Sequence, residues 1–136
     1  MTRYESHQSR INQPASLIYS KLSNFNNLKS MLPSDVKNWQ STEDTCSFEI
    51  NMIGFISMKM LEKKEFSLIK IVPDSNTKYD FKFWIQLKQI SEFDTRMKFT
   101  LDITLNPMLK MAFGSKLKDF MNTLSDRVAE GFNQIN

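Results

Sequence analysis

The 136-residue sequence predicts an α+β chain in which a strongly curved antiparallel sheet wraps around one long C-terminal helix. Three observations carry this. Between Cys46 and Leu105 apolar and polar residues alternate in runs, the period of strands with one buried face. The connections between those runs are too short for parallel crossovers, which need about a dozen residues. From Leu105 onward the apolar spacing changes to three and four, and this one helix must cover about five strands. A curved sheet closed around it encloses more volume than a flat sheet with a helix laid on top.

The elements follow in order. Tyr4 to Asn12 reads as a polar first strand, with Ile11 its one aliphatic residue. In "NQPASLIYSKLSNFNNL", Pro14 suits a first helical turn, where its missing N–H is no loss, and Ile18, Leu22 and Phe25 share a face. "LKSMLPSD" reads as a second short helix stopped by Pro33. In "TCSFEINM", Cys46, Phe48, Ile50 and Met52 point one way; Gly54 marks a turn, and "FISMKMLEK" continues with Ile56, Met58 and Met60 inward. "FSLIKIV" is a further strand, ended by the turn-forming "PDSNT".

The last two strands are the clearest. "YDFKFWIQLKQ" aligns Tyr79, Phe81, Phe83, Ile85 and Leu87 on one face and leaves Trp84 among the polar residues of the other. "TRMKFTLDITL" aligns Met97, Phe99, Leu101, Ile103 and Leu105, and the "SEFD" between them makes a hairpin. The final helix repeats Leu109, Phe113, Leu117, Phe120, Leu124, Val128 and Phe132 over about 28 residues, roughly 42 Å. Its opening, "NPMLKMAFG", is apolar on more than one side, as expected of turns that face both the sheet interior and the mouth of a cavity. Gly114 costs about 1 kcal/mol against alanine inside a helix. Two readings account for it: close packing against a neighbour, or a bend that lets the first turns swing. No repeat or linker interrupts residues 1–136, which read as a single domain.

Composition narrows the function. Eighteen Lys+Arg against fifteen Asp+Glu, interspersed, is not the imbalance of a nucleic-acid binder. One cysteine excludes an intrachain disulfide and fits a reducing compartment. "MTRYESHQSRIN" has no apolar run of the signal-peptide kind, and no apolar stretch has the 18 or so residues that span a bilayer, so the expectation is cytoplasmic. Nine Met and eleven Phe are unusual; Met adapts to varied shapes.

Catalytic equipment is sparse. His7 and Cys46 form a dyad only if two strands bring them together, and Cys46 sits in an apolar row where thiols are inert. One His and one Cys make no structural zinc site, and three scattered glycines make no phosphate loop. Glu43/Asp44 and Glu62/Glu65 fall in turns or strand ends, Asp80 and Asp102 on wet strand faces. Only Tyr4, Tyr19 and Tyr79 are expected to offer a buried hydroxyl to orient a ligand. No catalytic residue, cofactor or metal is expected.

"INQPASLIYSKLSNFNNLKSMLP", with Pro14, Ile18, Tyr19, Leu22, Asn24 and Phe25, resembles the opening of the START-like, polyketide cyclase/dehydrase (SRPBCC) superfamily. "WIQLK…TRMKFTLDI…NPMLKM" resembles its last hairpin and C-terminal helix. The resemblance spans essentially the whole chain. It implies a helix-grip fold with an apolar cavity between sheet and helix, and small hydrophobic ligands such as lipids, sterols, polyketides or quinones. Some relatives are cyclases, hydrolases or chaperone partners.

The energetics constrain such a cavity. An empty pocket of about 300 Å³, at about 24 cal/mol per Å³, costs on the order of 7 kcal/mol against a total stability of about 5–15 kcal/mol. Side chains, water or a ligand must therefore fill it. The candidate lining is Phe48, Ile50, Met52, Met58 and Met60 from the first hairpin, and Phe81, Phe83, Ile85, Met97, Phe99 and Leu101 from the last. Met108, Leu109, Met111, Phe113 and Leu117 complete it from the helix. The leading expectation is non-enzymatic binding or transport of a small hydrophobic molecule. The alternatives are a cyclase- or dehydratase-like enzyme, and an interaction scaffold with a filled core and an outward Trp84. Lys110, Lys116 and Lys118 near the mouth permit transient contact with an anionic membrane.

Overall fold

The computed structural model describes residues 1–75 and 77–134. Its strands are β1 (Thr2–Glu5), β2 (Ser9–Ile11), β3 (Val36–Ser41), β4 (Thr45–Ile50), β5 (Gly54–Lys64), β6 (Leu68–Pro73), β7 (Phe81–Ser91) and β8 (Asp94–Ile103). They form one eight-stranded antiparallel sheet in the order β1-β8-β7-β6-β5-β4-β3, with β2 also paired to β8. The helices are α1 (Ala15–Leu22) and α2 (Pro107–Asn133). The architecture is the expected α+β helix grip, with the sheet's apolar face closed over α2.

Local chemistry explains the long helix. Asn106 caps it, accepting from Leu109 N–H at 2.8 Å, and Pro107 takes the first helical position. Ser9 Oγ and Ser125 Oγ meet at 2.7 Å within the core, joining β2 to the helix.

Three expectations are corrected. The first strand is two. Glu5 pairs with Thr100 but Ser9 with Met97, so β1–β2 carries one more residue than β8 across the same span. The excess leaves the ladder at His7, whose N–H turns to Asn122 Oδ1 on α2. The first short helix ends at Leu22, leaving Phe25 to a separate 3₁₀ turn, Phe25–Asn27, and the second short helix is itself a single 3₁₀ turn, Lys29–Met31. The third correction is β3, absent from the sequence reading. Its register shifts between Lys37 and Gln40, so its polar and apolar residues follow no period of two.

Candidate functional site

Between the sheet and α2 lies a cavity of about 150 Å³. The cavity-facing stripe of α2 is Leu109, Phe113, Leu117, Phe120, Leu124 and Val128, with Met121 beside it. The sheet contributes Phe48 and Ile50 from β4, Met58 from β5, Phe81, Phe83 and Ile85 from β7, and Phe99 and Leu101 from β8. Apart from Phe120, Met121, Leu124 and Val128, which were not among the candidates, these are the expected lining residues, brought together by strand parity on one side and helical spacing on the other.

Five candidates stand elsewhere. Met52 is 68% exposed. The alternation of β4 stops at Ile50, and Met52 takes a left-handed turn conformation (φ 73°) that carries its side chain off the apolar face. Met108 and Met111 are 79% and 89% exposed. Each residue of a helix advances about 100°, so the stripe through Leu109 and Phe113 leaves both methionines facing water. Met60 packs against the core without reaching the cavity. Met97 is fully buried at the β2 end of β8, opposite Ser9 and away from the void.

Other lining residues went unanticipated. Leu28, Met31 and Leu32 enter from the 3₁₀ segment, Val36 and Trp39 from β3, and Ile53 from the turn before β5. The apolar residues of "LKSMLP" were a legible signal; Trp39 was not, because a bulge aims it. Asn38 and Trp39 together face Phe48, and Asn38 is left-handed (φ 56°). Trp39 stacks on Phe48 with centroids 5.7 Å apart and meets Phe25 edge-on at 6.3 Å.

Chemically the lining is nearly featureless. Tyr79 is its one titratable side chain, and its hydroxyl donates to Ile53 C=O at 2.8 Å. Cys46 is buried on β4, and burial pushes its thiol well above the ordinary range. His7 does not join it, pairing instead with Asp126 on α2. Tyr19 lies edge-on to Phe66, and Trp84 sits between the cations of Arg3 and Lys70. Among the described residues no group of three His, Cys, Asp or Glu is placed to hold a metal, and no helix is long and apolar enough to cross a membrane.

The two halves of α2 differ in burial. Its buried residues are Leu117, Met121, Ser125, Val128, Ala129 and Phe132. Earlier on, Leu109 and Phe113 are only half-buried, although both line the cavity. The cavity is therefore clamped at the C-terminal half of the helix and loosely covered at its start.

No family model and no curated protein sequence matches this chain. Solved structures do. A START superfamily protein from Mycobacterium smegmatis superposes with a TM-score of 0.72 at 13% identity, covering 98% of this chain and 99% of that one. The Bacillus cereus protein XoxI gives 0.77 at 10% identity, covering 99% and 98%. The Aha1 dimer from Colwellia psychrerythraea gives 0.64 at 20% identity, covering 96% and 98%.

Proposed function

From its START-like fold, we propose that this chain, acting as one ligand-binding domain, is a non-enzymatic binder or carrier of a small hydrophobic molecule held between the sheet and α2. The observation that supports it is a cavity of about 150 Å³ lined by apolar side chains. At about 24 cal/mol per Å³, leaving it empty costs roughly 4 kcal/mol. Water is a poor filler, because a buried water needs two to four polar partners and this lining offers almost none. An apolar guest recovers the lost contacts. The volume suits a compact ring or short chain; a lipid or quinone enters only if the Met and Phe side chains move aside.

Loose covering by the first turns of α2 supplies an entrance. Met108 and Met111 are exposed there, and further along the helix Lys116 Nζ lies 4.0 Å from Sδ of Met52, itself exposed in the turn before β5. Exposed apolar side chains flanked by Lys110 and Lys116 suit brief contact with an anionic membrane during exchange. Native mass spectrometry of freshly purified protein, followed by denaturing extraction, tests the binding reading. A discrete excess mass released as an apolar compound is expected. A clean apo mass, with no thermal shift against small aromatics, fatty acids, sterols or quinones, overturns it. Flotation with anionic but not neutral vesicles tests the membrane step.

A further inference from the structure

Residues 32–36 meet helix α2 along a seam whose two sides differ in chemistry. On the inner side Leu32 and Val36, with Leu117, Leu124 and Val128 of the helix, line the apolar cavity. On the outer side their neighbours in the chain wall a cleft of about 370 Å³, Pro33–Asp35 on one flank and Lys116, Asp119, Thr123 and Arg127 on the other. The seam is tight near Gly131, where an added Cβ would lie 3.5 Å from Met31 Cγ, and the cleft occupies the turns before it. Phe120 alone among the described residues lines both spaces. It is half-buried, and whereas Leu124 one turn on packs against the buried core, Phe120 does not. Cavity and cleft are therefore parted by one loosely held ring.

The cleft supplies the polar chemistry that the cavity lacks. Its charges cancel, Lys116 and Arg127 against Asp35 and Asp119, and among the described residues none of the four forms an ion pair. Ser34 and Thr123 add hydroxyls. A head group of single charge meets as much repulsion as attraction in such a place. A head that is neutral overall, a polyol or a zwitterion, finds partners of both kinds.

We propose that the guest is amphiphilic: an apolar chain or ring in the cavity, joined past a displaced Phe120 ring to a polar head, neutral overall, in the cleft. This rests on the binding reading above and deepens it by assigning the part of the ligand that the cavity cannot hold. The apolar part is small, since a void of about 150 Å³ takes a molecule the size of benzene, about six carbons. Phe120 is then a gate in the side of the grip, separate from the loosely covered start of α2.

Four compounds with one hexyl chain test this: hexyl glucoside, hexylphosphocholine, hexyl sulfate and hexyltrimethylammonium. Toluene is the control without a head, affinities come from NMR titration, and circular dichroism confirms that the fold persists. Thr123→Trp fills the cleft from an exposed position, and Ser34→Trp does so from the opposite wall. Toluene is expected to bind the parent and both variants alike. At least one neutral head is expected to bind the parent about tenfold more tightly than either charged head, the effect of one net hydrogen bond, and to lose that advantage in the variants. The amide resonances of Ser34, Asp35 and Thr123 are expected to respond to it and not to toluene. Preference for the glucoside identifies a polyol head, and preference for the phosphocholine a zwitterion. If toluene binds but the four heads rank together, a charged head binds tightest, or the filled cleft changes nothing, the amphiphile inference is overturned while the cavity reading stands. If toluene and all four hexyl compounds fail to bind the parent, both fall together.

Discussion

Gly114 faces the phenol of Tyr4: a Cβ added at position 114 would lie 3.1 Å from Tyr4 Oη. Of the two readings of this glycine, close packing and a bend, the first has a definite neighbour: the Tyr4 side chain leaves a methyl group at 114 little room. Helix α2 runs through it without interruption. Gly114→Ala gains about 1 kcal/mol of helix propensity but must push the Tyr4 hydroxyl aside by a few tenths of an ångström. Urea unfolding is expected to show a near-neutral change in the parent protein. In a Tyr4→Phe background the same substitution is expected to stabilise by about 1 kcal/mol. Equal gains in both backgrounds would show that Tyr4 is not what the glycine accommodates.

Leu101 sits on β8, buried at the cavity wall. Leu101→Phe extends a ring into empty space, and cavity filling commonly stabilises by about 0.5–2 kcal/mol. The expected signature is paired: a thermal midpoint that holds or rises, and an affinity for small aromatic guests that falls at least about tenfold, or 1.4 kcal/mol. A lowered midpoint with unchanged affinity would place the guest elsewhere.

Ser125 is fully buried and bonded to Ser9. Ser125→Ala leaves the Ser9 hydroxyl without that partner, at a cost of about 1–3 kcal/mol. Removing both hydroxyls together, as Ser9→Ala with Ser125→Ala, is expected to cost less than the two single changes combined. Simple additivity in chemical denaturation would remove the pair from the account of how β2 holds the helix.

Two carboxylates make stability pH-dependent. The Arg96 guanidinium, bonded to Asp94 at 2.9 Å, holds that carboxyl below its usual value; Arg3, at 2.7 Å, does the same to Asp102. In each case the folded state binds its proton later than the unfolded chain. Their stabilisation is therefore complete above the ordinary carboxylate value of about 3.9 and is lost as pH falls through the lowered folded values. Thermal midpoints are expected to drop between about pH 5 and pH 2. A variant combining Asp94→Asn with Asp102→Asn is expected to be less stable at neutral pH and to lose less on acidification. An unchanged acid slope would assign the pH dependence to other groups.

Much of the cavity wall was legible because periodicity is local. Phe81, Phe83 and Ile85 alternate, as do Phe99 and Leu101, so one face could be assigned without knowing what covered it. The same rule failed at Met52, where a left-handed residue breaks the strand and with it the parity that had placed the side chain inward. It failed at Met108 and Met111 for a different reason. An apolar residue on a helix is not thereby on the buried side, and the stripe through Leu109 and Phe113 assigns both methionines to water.

The sequence by itself determined the alternating strands from Cys46 onward, the antiparallel order of the last of them, the long terminal helix and the apolar character of the inward faces. Those are consequences of spacing and composition, which a chain carries before it folds. Tertiary structure alone decided the size of the void, the aim of Trp39 and the approach of Tyr4 to Gly114. Each depends on atoms far apart in sequence meeting within a few tenths of an ångström. The Trp39 bulge exists only because β3 and β4 pair with one residue too many, and no local pattern in "VKNWQS" records that mismatch.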